Sequence, residues 1–297
     1  MTSEAGKPIN FLIGRKEFLD FSLKDLIDLR AREISELPFL LTPGLDRPLE
    51  FHSLRDHCLR ISAALRTFVP EPGQTVSTMM PNGLASTLLL LSVIYSGRIL
   101  CPLNLAAGDV QLAYVLEHSE SSLLMVAPEL RQRAQGILDG IPGGPELIEI
   151  EPEEVPFSSF KGEIEKDATP DASDTGLLMY TSGTTGKPKG VMLSHRNLVS
   201  GGLNAMESHD LTHEDRALCV LPLYHINGLI NTVMGPLVSG SSVFMPAKFK
   251  TAEFWNWILQ YRCSWFSVVP TLLSALLHKT ELKEQQKITM QDFFRFG

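Results

Sequence analysis

Paired cysteines are missing from this 297-residue sequence: Cys58, Cys101, Cys219 and Cys263 are scattered, with no CxxC and no histidine at zinc spacing. A structural zinc site is therefore excluded, and a reduced, cytoplasmic compartment fits. A signal-peptide core is lacking too, because Glu4, Lys7 and Arg15 surround a short apolar patch. Long apolar runs are absent. The longest, 84–95, is about 12 residues and is broken by Ser86, Thr87 and Ser92, whereas a spanning helix needs ~20. It reads as a buried core helix, and the chain is expected to be soluble with no transmembrane segment. Nor is there an excess of positive charge. The 26 lysines and arginines face 34 acids, a net −8, which argues against nucleic acid as the main partner.

What is present suits a globular protein. Apolar residues make up 44% and charged residues 20%, which excludes wholesale disorder. At about 150 residues per domain, the length allows one large or two smaller domains. The acidity is local: residues 146–175 hold ten acids and two bases, so the remaining chain carries 24 of each sign. This stretch is expected to be a solvated connector, and an anionic substrate stays compatible with the neutral remainder.

Apolar periodicity alternates between helical and extended stretches. Helices are expected after Ser22, after Ser53 as a cap, and over 84–95, near 109–118, 197–208, 226–238, 252–261 and 271–278. Strands are expected over 74–80, 99–103, 122–127, 177–180, 191–193, 217–221, 242–245 and 265–269. The pattern predicts an α/β fold of two βαβ-type subdomains on largely parallel sheets, with residues 1–170 and 171–297 as the two halves. Ligands in such folds bind beyond the carboxyl ends of strands, the expected position of the loop after Thr181. Phe293 to Gly297 has strand character without a polar tail, so the chain is expected to be C-terminally truncated.

The chemistry concentrates in Tyr180-Thr181-Ser182-Gly183-Thr184-Thr185-Gly186-Lys187-Pro188-Lys189-Gly190. Its glycines allow successive N–H groups to converge on an anion, its hydroxyls add donors, and Lys187 and Lys189 add positive charge. Such a loop suits several phosphate oxygens at once. A Walker A loop is excluded, because two residues separate Gly183 from Gly186 and Pro188 follows Lys187 where Ser or Thr would bind Mg²⁺. The dinucleotide fingerprint G-x-G-x-x-G is absent here as well.

The same residues, continued by Val191-Met192-Leu193-Ser194-His195, resemble the AMP-binding signature of the adenylate-forming superfamily. Leu49-Glu50-Phe51 with Ser53-Leu54 resembles that family's opening motif, and Gly97 to Leu105 resembles its G-A-x-x-x-P-L-N-P segment. Leu221 to Leu229 resembles its aromatic-His segment, on the branch that includes 4-coumarate- and oxalate-CoA ligases. The resemblance implies the large N-terminal domain of an acyl-CoA synthetase, an acid–thiol ligase. A carboxylate would attack the α-phosphate of ATP to give an acyl adenylate and pyrophosphate, and the thiol of CoA would then displace AMP. It further implies that Thr181, Ser182, Gly183, Thr184, Thr185, Gly186, Lys187, Lys189 and Gly190 hold the phosphates. Lys189, Thr184 and His225 would be the catalytic set, with Thr184 beside Mg²⁺. Tyr224, His225, Asn227 and Gly228 would line the acid site, Asn227 and Gly228 leaving room for more than acetate.

His195 reads as a strand-end residue stabilising the loop, and Trp255, Trp257 and Trp265 as core or half-buried aromatics rather than a ligand stack. The family's Tyr-Gly-x-Thr-Glu motif, ribose-binding aspartate and C-terminal domain with its adenylation lysine do not occur before Gly297, so little or no turnover is expected. Two other functions remain open: adenylation with a carrier-protein or oxidative second step, and a non-catalytic nucleotide-binding or interaction module.

Overall fold

The computed structural model describes residues 15–164, 168–181 and 187–279. Helices α1 (Arg15–Phe18) and α2 (Leu23–Glu33) lead to strands β1 (Pro38–Leu41) and β2 (Leu49–Glu50), then α3 (Phe51–Leu65) and β3 (Thr75–Met79). Next come α4 (Leu84–Tyr95), β4 (Ile99–Pro102), α5 (Asp109–His118), β5 (Ser121–Val126), α6 (Arg131–Leu138) and β6 (Glu146–Glu149). The hairpin β7 (Thr175–Thr181) and β8 (Lys189–Ser194) precedes α7 (His195–Ser208), β9 (Arg216–Leu218) and α8 (Ile226–Leu229). A π-helical turn (Ile230–Met234) joins α8 to α9 (Gly235–Ser239), and β10 (Ser242–Phe244), α10 (Phe254–Tyr261), β11 (Trp265–Phe266) and α11 (Pro270–Lys279) follow.

Two sheets form, as the alternating pattern predicts. One is six-stranded in the order β6-β5-β3-β4-β7-β8, parallel except for the β7–β8 pair. The other is five-stranded, β11-β9-β10-β1-β2, parallel except for β1–β2. Sheet membership runs across residue 170: β7 and β8 join strands that precede them, while β1 and β2 join strands from beyond 216.

Strand alternation sorts the side chains into three cores. Val76, Leu100, Leu123, Met125, Leu177 and Met179 face one side of the six-stranded sheet, and Leu40, Ala217 and Val243 face the same core from the five-stranded sheet. Residues of α2, α3, α4, α7 and α9 fill the space between. The opposite parity, Met79, Cys101, Leu124 and Val126, packs on α5 and α6. Leu218, Val220 and Phe244 pack on α10 and α11. Helices thus cover both faces of both sheets, so neither sheet can be peeled from the molecule without exposing a core. The continuous apolar run of α4 makes sense here, since eleven of its twelve residues are buried.

Buried polar groups pin the middle layer. Arg30 on α2 has its guanidinium against the carbonyls of Leu237 and Val238 at the end of α9, satisfying groups that a helix C-terminus leaves open. Lys24 donates to Tyr95 Oη at 2.8 Å, and Tyr95 donates to Asp28 Oδ1 at 2.8 Å, tying α2 to α4.

Ser22 caps α2 through a reciprocal capping box with Asp25, as its sequence predicts. Ser53 does not cap α3. The β1–β2 pairing continues to Glu50, Phe51 N donates to Leu37 O at 3.1 Å, and the helix starts at Phe51, leaving Ser53 inside its first turn. The acidic stretch is also corrected at its start. Glu146–Glu149 is an edge strand paired with β5, its apolar Leu147 and Ile148 half-buried between exposed glutamates. Glu151, Glu153, Glu154, Glu163, Asp171 and Asp174 are exposed, as a solvated connector requires. The helix expected over 226–238 is present but carries the π turn in its middle. The strand-like residues 293–297 lie outside the described residues. Among the described residues no helix is long and apolar enough to cross a membrane.

Candidate active site

The carboxyl ends of β3, β4 and β7 lie on one edge of the six-stranded sheet, because these strands are mutually parallel. The predicted phosphate loop leaves that edge as the tip of the β7–β8 hairpin, whose last paired residues are Thr181 and Lys189. Thr181, Lys187 and Lys189 are exposed, as is Gly190, opposite Tyr180 in the ladder. A Cβ on Gly190 would stand 3.1 Å from a Leu178 methyl and 3.3 Å from the Tyr180 ring, so glycine lets that ring lie flat across the hairpin. Ser182, Gly183, Thr184, Thr185 and Gly186 lie outside the described residues.

Helix α5 holds the hairpin from the side. His118 Nδ1 and Tyr180 Oη are 2.8 Å apart, with the rings edge to face at 5.7 Å. Lys187 Nζ sits over the Tyr114 ring at 5.5 Å, a cation–π contact. Burial raises the Tyr180 phenol well above its usual range, so it stays protonated in this pair.

Tyr224 and His225 come from the other sheet, on the segment that continues β9. Their rings are 4.8 Å apart and tilted by 60°. Tyr224 is half-buried and lines a cavity of about 180 Å³ together with Thr181 and Pro188 of the hairpin and Pro102, Leu103 and Asn104 after β4. It also lines a larger cleft of about 590 Å³ with Asn82, Pro222, Lys248 and Phe249. The hairpin and the aromatic segment, far apart in sequence, therefore share a wall where the carboxyl ends of both sheets meet. His225 is exposed beside Tyr224.

Asn227 and Gly228 have other duties. Asn227 Oδ1 accepts from Asn231 Nδ2 and from Ser267 Oγ, both at 2.7 Å, which fixes the start of α8 against the end of β11. Gly228 is buried, and a Cβ there would lie 2.8 Å from the carbonyl oxygens of Leu221 and Pro222. Its smallness serves this close backbone approach.

His195 lies where the sequence reading puts it, directly after the end of β8. It is the first residue of α7, fully buried, and its Nδ1 accepts from Leu23 N at 3.0 Å. It thus joins α7 to α2 through the Leu23 backbone. Burial lowers its pKa to about 4, despite Asp174, Asp25 and Asp171 nearby, so the ring is neutral at pH 7. Trp257 and Trp265 are buried and Trp255 is half-buried, in line with a packing role. All four cysteines are free and buried.

Three contributors carry no direct sign in the sequence. Asn82 lies in a Pro-Asn-Gly turn and reads as a turn residue, yet it is 7% exposed and bonded to the segment before Tyr224. Tyr114 and His118 are four apart on α5, a spacing that marks one helix face but not what that face meets.

The fit to a nucleotide rests on the hairpin stem. Two lysines and a threonine hydroxyl stand exposed at a strand terminus, and neither lysine is ion-paired with a carboxylate among the described residues. Three or more His, Cys, Asp or Glu side chains grouped as for a metal do not occur among the described residues.

An open α/β fold with a cationic, hydroxyl-bearing hairpin at the carboxyl edge of its sheet defines a nucleotide-binding class. Residues 30–295 match the AMP-binding enzyme family, and the chain belongs to it. It is 36% identical over 260 residues to sulfoacetate–CoA ligase of Cupriavidus necator, covering 86% of this chain and 51% of that protein. It is 30% identical over 219 residues to oxalate–CoA ligase of Arabidopsis thaliana, covering 70% of this chain and 42% of that one. The fold is similar to the crystal structure of ATP-bound MatB from Rhodopseudomonas palustris, with a TM-score of 0.76, 25% identity, and 89% of this chain and 53% of that chain covered. The chain thus spans about half the length of the curated relatives it matches.

Proposed function

We propose that this chain supplies the phosphate-binding and acid-binding surfaces of an ATP-dependent acid–thiol ligase. The observation that carries the reading is the shared wall of Thr181, Pro188 and Tyr224, which sets an anion-binding hairpin beside a half-buried aromatic pocket. ATP would lay its β- and γ-phosphates on the hairpin tip, with Lys189 and Lys187 neutralising charge and the Thr181 hydroxyl donating. Ser182, Gly183, Thr184, Thr185 and Gly186 complete that tip in sequence, and Thr184 is the residue proposed to meet Mg²⁺. The metal would screen the phosphate oxygens against one another. The acid would lie against Tyr224 and His225, its carboxylate directed at the α-phosphate.

Attack by a carboxylate oxygen forms the acyl–phosphate bond as the bond to pyrophosphate breaks. The CoA thiol then forms the thioester, giving up its proton and displacing AMP. In-line transfer of this kind depends chiefly on positioning and charge neutralisation, which the hairpin offers. The names of the two relatives, sulfoacetate and oxalate ligases, support a small acid with a second anionic group. Lys248, which lines the larger cleft with Tyr224, is the cation proposed to face that group.

The test is acid-dependent exchange of labelled pyrophosphate into ATP by the longer protein, with sulfoacetate, oxalate, malonate and ferulate as the first panel. Exchange with a short diacid or sulfonate supports the reading. A carrier protein replacing CoA as acceptor would revise its second step, and no exchange with any acid would overturn it. The 297-residue chain is expected to bind ATP with little or no turnover, since it spans about half of its relatives.

A further inference from the structure

We propose that Asn82 is a positioning residue for the acid site, acting across the two sheets on the backbone that presents Tyr224 and His225. The assignment of the acid site rests on the function proposed above; the clamp itself rests on geometry.

Asn82 sits in the Pro81-Asn82-Gly83 turn at the carboxyl end of β3. Gly83, with φ +148°, lets the chain turn straight into α4 and leaves the Asn82 side chain facing the five-stranded sheet. There it meets a stretch of backbone that has left its sheet. The ladder between β9 and β10 is last extended by Cys219 N donating to Phe244 O at 2.9 Å. Beyond it, Leu221 and Leu223 have no neighbouring strand among the described residues, and Pro222 between them has no N–H to offer.

The Asn82 carboxamide takes the place of that missing strand. Its Nδ2 donates to Leu221 O at 2.9 Å, and its Oδ1 accepts from Leu223 N at 3.0 Å. The amide orientation follows from the partners, since one is an obligate acceptor and the other an obligate donor. The partner segment is 141 positions away in sequence, and both ends of the contact are buried.

From Leu223 the consequences pass to the site within two residues. Leu223 is 5% exposed, and His225 N donates to Pro222 O at 3.0 Å, closing the turn that projects Tyr224 into both cavities. Gly228 packs against the same Leu221 and Pro222 carbonyls. The segment is therefore held through its backbone both by Asn82 and by the close approach of Gly228. Both the carbonyl oxygen and one N–H of Asn82 are committed to backbone, so it acts on the acid through Tyr224 and His225.

Two variants test this. Asn82→Ala removes both bonds and leaves a buried N–H and C=O without partners. Exchange of the Leu223 amide with deuterium should accelerate about tenfold while amides of β3 and β4 keep their rates, the scale expected for one lost internal hydrogen bond. In the longer enzyme, KM for the acid should rise about tenfold while KM for ATP changes less than about twofold. Asn82→Asp keeps the acceptor for Leu223 but turns an oxygen toward the Leu221 carbonyl, so it should retain Leu223 protection and show an intermediate KM for the acid. Should Asn82→Ala fail to fold, Asn82→Asp decides.

Unchanged Leu223 exchange in Asn82→Ala overturns the proposal, as does an equal rise in both KM values, which a general loosening would produce. The exchange measurement needs neither acid nor ATP. Absence of turnover with every acid would count against the ligase reading and leave the clamp to be judged by exchange alone.

Discussion

The hairpin, through Thr181 and Pro188, and the Leu221–Gly228 segment, through Tyr224, line the same cavity but are held by opposite means. Thr181, Lys187 and Lys189 of the hairpin are exposed and Pro188 is half-buried, and the side support is a tyrosine–histidine pair and a cation–π contact near the surface. The aromatic segment is held through its backbone, by a buried carboxamide and by a glycine packed on carbonyls. An exposed anion site can be altered at its charges without touching the core. A segment gripped through its backbone cannot be altered without moving what it carries.

The strongest break of that comparison is Lys189→Ala. The side chain is exposed, so urea stability should stay within ~0.5 kcal/mol. If it neutralises phosphate charge, acid-dependent pyrophosphate exchange should fall about 10²–10³-fold, as for loss of one preorganised electrostatic group. Function would then be lost with the fold intact. A fall below about tenfold would shift the phosphate role to Lys187 or to the loop hydroxyls.

His195 tests the other end of the same hairpin, where β8 runs into the core. Its pKa, lowered by burial to about 4 from 6.5, means that the unfolded chain takes up the proton first as pH falls. Stability from this group is complete above pH 6.5 and is lost as pH falls toward 4, a span worth roughly 3 kcal/mol. His195→Asn can still accept from Leu23 N but does not titrate. Urea midpoints measured from pH 7 to pH 4 should therefore fall less steeply in the variant than in the parent. Parallel slopes would show that the imidazole does not carry the dependence.

Gly228→Ala probes the gripped segment with a single methyl. Its Cβ would sit 2.8 Å from two backbone oxygens, which have no flexible end to move aside. Overpacking of this kind costs about 1–3 kcal/mol, readable as a lower urea midpoint, and the displaced Tyr224 should raise KM for the acid. Here function and stability fall together, in contrast to Lys189→Ala.

The same contrast explains what could be read in advance. The hairpin was legible because its glycines, hydroxyls and lysines are themselves the chemistry, and because apolar flanks marked β7 and β8 as strands. The regular α/β alternation was legible for a similar reason: α4, α5 and β5 carry continuous or periodic apolar side chains that point to the three cores. Short strands were missed where pairing, rather than pattern, makes them. β1 begins with Pro38, β2 has two residues, and β6 lies among glutamates at a sheet edge. Asn82 and His195 were opaque in a different way. Each bonds a backbone group more than 130 positions distant, so its role depends on how two elements are brought together in space.

The smallest expected effect is that of Tyr180→Phe, and it sharpens the comparison from the hairpin side. The change deletes the 2.8 Å contact with His118 Nδ1 while leaving the ring against His118 and over Gly190. His118 is exposed, so water can replace the lost partner, and the loss should be ~1 kcal/mol or less in urea titration. ATP affinity should then weaken less than about threefold, because the backbone ladder from Thr175 to Thr181 still sets the position of the tip. Isothermal titration with ATP, alongside urea unfolding, reads both quantities on one sample. A tenfold or greater loss of ATP affinity would mean that the aromatic pair itself fixes the tip. The exposed hairpin would then be held as strictly as the segment that Asn82 clamps.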